Sequence, residues 1–177
     1  AKHPGGAKGS PTKISFSSQE WCGQVYHQLV FDRDEIRSDA HSYFDGEADV
    51  STTLANKSGL SGDTLWTWAR GLSGPKLAPG ESKRVPYLRA LSTVRLRHAP
   101  LQWGTANISR SAETKPLKTP AGSFEVFTMA AKPDRDDPEI FWVEAAWPHR
   151  IIKWEAGDGS KAVLQGSTRA KYWQMND

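Results

Sequence analysis

Apolar and polar residues alternate along most of the chain from Lys13 onward, in short segments separated by polar turns. Such alternation, with many β-branched and aromatic residues, predicts strands that bury one face. The N-terminal part holds three of these segments, KISFSS, EWCGQVYHQLVFD and IRSDAHSYF. Four more follow a Pro/Gly-rich loop, namely KRVPYL, STVRLRH, LQWGTANISRS and GSFEVFTMAA. Short connections predict antiparallel neighbours, and Pro116 and Pro120 indicate an edge strand or a loop.

One segment, SGDTLWTWARGL, departs from this alternation. Asp63 suits a helix N-cap, and Leu65 and Trp68 are three positions apart and so share one helical face. Gly71 follows as a stop signal. We therefore predict one short helix near residues 63–71 that packs its Leu65 and Trp68 face on the sheet.

The C-terminal third predicts a meander of three strands with a hairpin turn over residues 157–160. Pairing Ala145 with Arg150 and Ala156 with Lys161 sets the register of these strands. One face then carries a row of apolar residues, Phe141, Val143, Ile152, Trp154 and Val163. The opposite face carries Trp142, Lys153 and Leu164. Apolar groups on both faces predict that something covers each of them.

The fold class expected from these patterns is mainly β, with a single antiparallel, strongly curved sheet shaped as a half-barrel or barrel. Its concave face includes Phe141, Val143, Ile152 and Trp154, which form the candidate ligand-binding pocket. An unfilled hollow there would accept an apolar ligand. If a helix or loop fills it, the function lies in surface contacts.

Composition narrows the classes of function. The chain has 177 residues, a hydrophobic fraction of 37% and a net charge of +3 from 23 basic and 20 acidic residues. Residues 1–12 are predicted to be a flexible leader, and residues 13–177 a single β-rich domain. No run of Lys or Arg provides the charge that nucleic-acid binding needs, and no stretch approaches the roughly 20 apolar residues of a transmembrane helix.

The only cysteine, Cys22, lies five residues before His27, which raises the question of a nucleophile and its base. Side chains an odd number of positions apart point to opposite faces of a strand, so the two cannot form a hydrogen bond without a bulge. A hairpin that pairs Phe31 with Ile36 places His41 opposite Tyr26, too far from Cys22. We expect Cys22 to pack as a small hydrophobic residue.

Other titratable residues lack the spacing of a catalytic or metal site. Asp45, Glu47 and Asp49 indicate a solvated acidic edge more than a calcium site, because alternate side chains of a strand lie almost 7 Å apart. Two histidines, His98 in RLRHAP and His149 in WPHR, lie near a proline and beside a basic residue at predicted strand ends. Asp134, Asp136 and Asp137 fit a polar hairpin tip. No catalytic residue, metal ligand or cofactor is assigned, and the common nucleotide-binding and hydrolase motifs are absent.

Several segments together, QEWCG, HSYFDGEAD, LWTWAR, LRHAPLQWG, TPAGSFEVFT and PHRIIKWE with YWQM, resemble an uncharacterised family of bacterial exported proteins, often lipoproteins. Some of its members carry the label "septum formation inhibitor Maf", but the Ser-x-Ser-Pro-Arg-Arg loop of Maf pyrophosphatases is absent here. The C-terminal half is similar to β half-barrel domains of unknown function. The resemblance implies an exported, periplasmic or outer-membrane-associated protein whose signal segment precedes this chain.

The function expected from these observations is that of a non-catalytic domain at the cell envelope. It would bind an apolar, lipid-like ligand or a protein partner, since fold-level analogy to lipid-binding half-barrels is the available guide. Two alternatives stay open. One is a carbohydrate-binding module that uses exposed tryptophans, because aromatic faces stack on sugars. The other is a hydrolase that uses Cys22.

Overall fold

The structure is a computed structural model and describes residues 10–21 and 23–175. Twelve strands dominate it: β1 (Lys13–Glu20), β2 (Gly23–Phe31), β3 (Glu35–Ser42), β4 (Asp49–Ala55), β5 (Leu60–Ser61), β6 (Ser82–Leu88), β7 (Trp103–Arg110), β8 (Lys115–Thr119), β9 (Gly122–Pro133), β10 (Glu139–Glu144), β11 (Ile151–Ala156) and β12 (Lys161–Val163). Two α-helices, α1 (Leu65–Ala69) and α2 (Leu91–Leu96), and 3-10 turns at Gly62–Thr64 and Tyr172–Gln174 complete the described elements. The mainly β prediction is confirmed, with 49% strand and 10% helix.

The strands form two sheets, so the prediction of a single sheet is wrong. Sheet A has the order β1-β2-β3-β4, and sheet B has the order β12-β11-β10-β9-β7-β6-β5, with β8 paired to β9. Sheet B curls as a half-barrel, as predicted, but it is mixed, because β5 pairs with β6 in parallel. The short β5 reaches β6 through α1 and a long loop, and such a crossover is not encoded in local alternation. β8 contains Pro116 and lies at an edge, as expected.

Sheet A follows the predicted period of two. His27, Leu29 and Phe31 of β2 are buried, while the residues between them are more exposed. Phe31 pairs with Ile36 and Tyr26 with His41, which confirms the predicted hairpin. The predicted strand EWCGQVYHQLVFD is divided, since β1 ends at Glu20 and β2 begins at Gly23.

Each sheet has its own hydrophobic core. The core of sheet A is formed by Leu29, Phe31 and Ile36 together with Leu88 and Leu91, so the end of β6 and the start of α2 cover its inner face. The core of sheet B lies under α1. It contains Leu60, Leu65, Trp68, Ala106, Ile108, Phe127, Met129, Phe141 and Val143.

Helix α1 confirms the predicted packing, since Leu65 and Trp68 are each only 1% exposed. Gly71, at φ +72°, adopts the left-handed conformation expected after the helix. Asp63 is not the N-cap, because Ser61 accepts the hydrogen bond from the Asp63 amide. The Asp63 carboxylate instead accepts from the backbone N–H of Leu91, the first residue of α2.

Helix α2 replaces a predicted strand, STVRLRH. Its β-branched Thr93 and Val94 favoured the strand prediction. Leu91 and Val94, three positions apart, are buried, and the cap comes from Asp63. A cap supplied from 28 residues upstream is invisible in the local sequence.

The C-terminal meander has the predicted hairpin between β11 and β12, with the Ala156 amide bonded to the Ser160 carbonyl at 2.9 Å. Phe141 pairs with Trp154 as predicted. The placement of Val163 is wrong, because Trp154 pairs with Ala162 and Val163 lies opposite Lys153. A shift of one residue moves a side chain to the other face, and Val163 is exposed.

Candidate functional site

Two cavities flank α1. The first, called the aromatic cleft, has a volume of about 390 Å³ and is lined by Asp63, Trp66, Tyr87, Glu139, Trp154 and Asp158, among others. The second, called the basic cavity, has a volume of about 400 Å³ and is lined by Arg70, Lys76, Arg110, Phe127, Trp147 and His149, among others. Both volumes fall in the range of small-molecule sites.

An aromatic wall forms one side of the cleft. Trp66 projects from α1, is 45% exposed, and lies 5.5 Å between ring centroids from Trp154 at an interplanar angle of 42°. The ring of Trp66 also meets buried Phe141 edge-on at 5.5 Å. Contacts with two core rings fix the orientation of an indole whose remaining surface faces solvent.

Carboxylates line the cleft beside this wall. Glu139 accepts a hydrogen bond from Trp154 Nε1 at 2.7 Å, and burial raises the pKa of Glu139 above its ordinary value. Burial also raises the pKa of Asp63, against hydrogen bonds from Leu91 and Ser61 that lower it. Asp63 is exposed to solvent, so burial raises its pKa less than it would raise the pKa of a fully buried carboxyl group.

The hairpin between β9 and β10 closes one end of the cleft and has the predicted polar tip. Asp136 binds Arg89 Nε at 3.0 Å, and Asp137 pairs with Arg97. Asp134 pairs with Arg84 at 2.6 Å. These ion pairs hold the tip against β6 and the end of α2.

The four predicted pocket residues divide between core and cleft. Phe141, Val143 and Ile152 are 0% exposed. Phe141 and Val143 belong to the core that contains Leu65 and Trp68 of α1. Trp154 is partly buried and lines the aromatic cleft. The helix thus covers much of the concave face, and Trp154 is the one predicted residue that reaches a described cavity.

In the basic cavity, arginines lie against backbone and aromatic rings. Arg70 donates to the carbonyls of His149 at 3.1 Å and Pro148 at 3.3 Å. Arg110 donates to the Leu77 carbonyl at 3.3 Å, and its guanidinium lies 4.3 Å from the centroid of Phe127. His149 Nδ1 lies 3.0 Å from the Glu144 carbonyl, as expected of a turn histidine with a local partner.

Cys22 lies outside the described residues, so the prediction about its surroundings stays a prediction. His27 is buried on the inner face of sheet A, with Nε2 at 2.8 Å from Ser38 Oγ. Burial, followed by the charge of Arg95, lowers the pKa of His27 to about 4. His41 lies on the outer face, 2.6 Å from Asp49.

The acidic residues after β3 have separate partners. Asp49 binds His41, while Glu47 binds Arg95 at 3.2 Å and His98 Nδ1 at 2.9 Å. Asp45 accepts from the Gly46 amide. Within residues 10–21 and 23–175, no group of three or more His, Cys, Asp or Glu side chains is arranged to hold a metal ion.

Sequence reasoning missed Trp66, Glu139 and the arginines of the basic cavity. A signal for Trp66 was present, because a two-residue offset from buried Trp68 places it away from the core-facing side of a helix. Glu139, Arg70 and Arg110 carry no comparable local signal, since their environments are built by distant segments.

Among the described helices, none is long and apolar enough to cross a bilayer. Comparisons of the chain with protein-family models, curated proteins and solved structures found no match.

Proposed function

We propose that this chain is a non-catalytic binding domain that holds a small carbohydrate, or the end of a glycan, in the aromatic cleft. The exposed face of Trp66, fixed beside Trp154 in a cleft with carboxylates, carries the proposal. Three of the four residues proposed for an apolar ligand have no exposed surface. A ligand at the rim of the half-barrel is therefore favoured over a lipid-like ligand inside it.

The aromatic wall suits a sugar ring. Indole faces offer a flat apolar surface to the C–H groups of a pyranose, and contacts of this kind are strongest when the ring is already held in place. Phe141 and Trp154 hold Trp66 before any ligand binds. Binding would therefore cost little side-chain entropy.

The polar side of the cleft suits hydroxyl groups. Glu139 uses Oε2 to accept from Trp154, which leaves Oε1 without a hydrogen bond from the described residues. Asp158 is exposed and accepts a hydrogen bond from the Ser160 amide through Oδ1 at 2.8 Å. Sugar hydroxyls donate to such carboxylate oxygens, and charge-assisted hydrogen bonds of this type are stronger than neutral ones.

The test is to titrate the protein with glucose, galactose, N-acetylglucosamine, cellobiose and chitobiose. Binding is measured by calorimetry and by tryptophan fluorescence. At least one sugar should bind saturably, and Trp66→Ala and Glu139→Gln should each weaken it about tenfold, or about 1.4 kcal/mol. Trp147→Ala, which changes an exposed tryptophan of the basic cavity, is the matched control and should leave affinity unchanged. Absence of saturation up to about 10 mM across these sugars would overturn the proposal.

A second candidate function is hydrolysis of the bound glycan, favoured by the raised pKa of both Asp63 and Glu139 in one cleft. A carboxylic acid that stays protonated can donate a proton to a leaving oxygen, while a second carboxylate activates the attacking water. New reducing ends from cellobiose or chitobiose would support this function. Glu139→Gln should then abolish cleavage, and binding without cleavage would leave the non-catalytic proposal in place.

The envelope location implied by the family resemblance remains part of the proposal, since glycans are abundant partners there. Fractionation of the bacterium that makes the protein, with detection by antibody, tests it. Recovery in the cytosolic fraction alone would contradict it.

A further inference from the structure

Among the described residues, five arginines are partly buried: Arg70, Arg89, Arg95, Arg110 and Arg150. Three of them bind carboxylates, Arg89 with Asp136, Arg95 with Glu47 and Arg150 with Glu144. Arg70 and Arg110 donate only to backbone carbonyls of the described chain. Both of these exceptions line the basic cavity.

The missing carboxylates of Arg70 and Arg110 matter because a partly buried cation without a counter-charge lowers the stability of the folded state. Arg110 Nε is buried and has no hydrogen-bond partner in the part of the chain that the structure describes. Arg95 Nε is in the same state, but the Arg95 guanidinium also binds Glu47, whereas Arg110 has no such carboxylate among the described residues. The Phe127 ring, 4.3 Å from its guanidinium, contributes a cation–π contact but accepts no full charge. Among residues 10–21 and 23–175, no carboxylate binds either Arg70 or Arg110.

The rest of the cavity adds to the positive charge. Lys76 also lines it, whereas none of its described lining residues is Asp or Glu. Arginine presents a planar group that matches a carboxylate in two hydrogen bonds. The local field therefore favours an anion, and a carboxylate has the geometry that guanidinium groups bind best.

The cavity also has an apolar side. Phe127 and Met129 form part of its lining, and Trp147 and Leu72 lie at its edge with 74% and 52% exposure. Large apolar residues at the mouth of a charged cavity are typical of sites for ligands with one polar and one apolar end. An inorganic anion alone would leave this side unused.

We propose that the basic cavity binds a small amphipathic carboxylate, a free monocarboxylic acid anion with an aromatic or short aliphatic tail. Its carboxylate contacts Arg70 and Arg110, and its tail lies against Phe127 and Trp147. This site is separate from the aromatic cleft and does not depend on carbohydrate binding.

The test is calorimetric titration of the intact chain with sodium benzoate and sodium hexanoate at constant ionic strength. Benzamide and hexanamide, of nearly the same shape but uncharged, are the controls for charge, and acetate is the control for the tail. Benzoate or hexanoate should saturate the protein, and the amides and acetate should bind at least tenfold more weakly. Equal affinity for acid and amide, equal affinity for acetate, or no saturation by either acid up to about 10 mM overturns the proposal.

Variants locate the binding. Arg70→Met and Arg110→Met keep the aliphatic stem, remove the charge, and should each weaken benzoate at least tenfold. Arg135→Met, at an exposed arginine outside the cavity, and Trp66→Ala, in the cleft, should leave it unchanged. If the arginine variants fail to fold by circular dichroism, exposed Trp147→Ala still tests the tail contact and should weaken benzoate severalfold. Unchanged affinity in a folded Arg110→Met or in Trp147→Ala overturns the assignment.

Discussion

The aromatic cleft and the basic cavity have similar volumes and share α1 as a wall, yet they differ in charge and in how that charge is held. Carboxylates and one arginine line the cleft, and each of Asp63, Asp136, Asp137, Glu139 and Asp158 accepts a hydrogen bond from the protein. Cations line the basic cavity, and its two arginines bind no carboxylate of the described part of the chain. Helix α1 thus separates an acidic surface, on which each of these carboxylates accepts a hydrogen bond from the protein, from a basic surface whose two arginines have no carboxylate partner among the described residues.

The difference indicates that the two cavities would recognise ligands in different ways. A cleft whose polar groups are already bonded is rigid and offers its spare oxygens to neutral donors. A cavity with unpaired cations gains more from a ligand of opposite charge, because the ligand supplies the missing partner. Substitutions on either side of α1 test this contrast.

The largest loss of stability is expected when a core side chain of α1, the helix that lines both cavities, is truncated. Trp68 is 1% exposed and donates its Nε1–H to the Pro75 carbonyl at 2.9 Å. Trp68→Ala should lower the free energy of unfolding by about 3–5 kcal/mol, as large aromatic deletions in cores do. Trp66→Ala, on the cleft side of the same helix, should cost only about 1 kcal/mol. Urea unfolding followed by circular dichroism compares them, and similar losses would contradict the division of the helix into core and cleft faces.

A buried group outside both cavities should dominate the pH dependence of stability above pH 4. The pKa of His27 is about 4 in the folded state and 6.5 in the unfolded chain, so the unfolded chain binds more protons between these values. The free energy of unfolding should therefore fall as the pH drops from 6.5 to 4, by about 3 kcal/mol in total. His27→Gln cannot gain the proton. The difference between parent and variant over this window isolates His27, and an unchanged slope in the variant would contradict it.

Substitution by Met should change the free energy of unfolding in opposite directions at Arg150, which binds a carboxylate, and at Arg110, which binds none among the described residues. Arg150→Met leaves the carboxylate of Glu144, which is only 8% exposed, without its 2.7 Å partner. We expect a loss of about 2 kcal/mol in stability. Arg110→Met removes an uncompensated charge and should be neutral or stabilising by up to about 1 kcal/mol. A comparable loss in both variants would show that Arg110 is already neutralised.

The smallest effect is a difference in pKa between two glutamates of the same strand, β10. Burial raises the pKa of Glu139 in the cleft above 4.5, and the hydrogen bond from Arg150 holds the pKa of Glu144 below 4.5. Protonation of Glu139 favours the folded state, a contribution lost as pH rises through its folded pKa. The contribution of Glu144 is present above pH 4.5 and is lost as pH falls through its folded pKa. Carbon-13 NMR titration of the two carboxyl groups, assigned with Glu139→Gln and Glu144→Gln, should show this order, and the reverse order would contradict it.

Several parts of the fold were predictable because they depend on neighbouring residues. Alternation along β2 gave its buried face, and the spacing of Leu65 and Trp68 gave the packing of α1. The hairpin turns after Phe31 and Ala156 carry polar and glycine residues that local preferences favour. The Phe141–Trp154 pair agrees with the predicted register, but next to the turn Val143 pairs with Ile151 and the predicted Ala145–Arg150 register is not formed. The bulge after Trp142, which shifts the register by one residue, and the pairing of β12 were not predictable from turn length.

The residues named from the sequence as a ligand pocket have different places in the structure. Trp154 was named as a ligand-lining residue and does line a cavity, whereas Phe141, Val143 and Ile152 were named with it and are fully buried. A row of apolar residues on a curved sheet has the same pattern whether a helix or a ligand covers it. The position of α1 in the folded chain determines whether a helix or a ligand covers the row.

The β-rich class, the faces of sheet A and the amphipathic character of α1 could be predicted from the sequence, because each rests on spacing between residues a few positions apart. The division into two sheets, the parallel β5–β6 pair and the cap that Asp63 provides to α2 depend on tertiary contacts. These contacts also determine which arginines find carboxylates and which face a cavity. These features join residues tens of positions apart, and their energies depend on burial and charge, which exist only after the chain has folded.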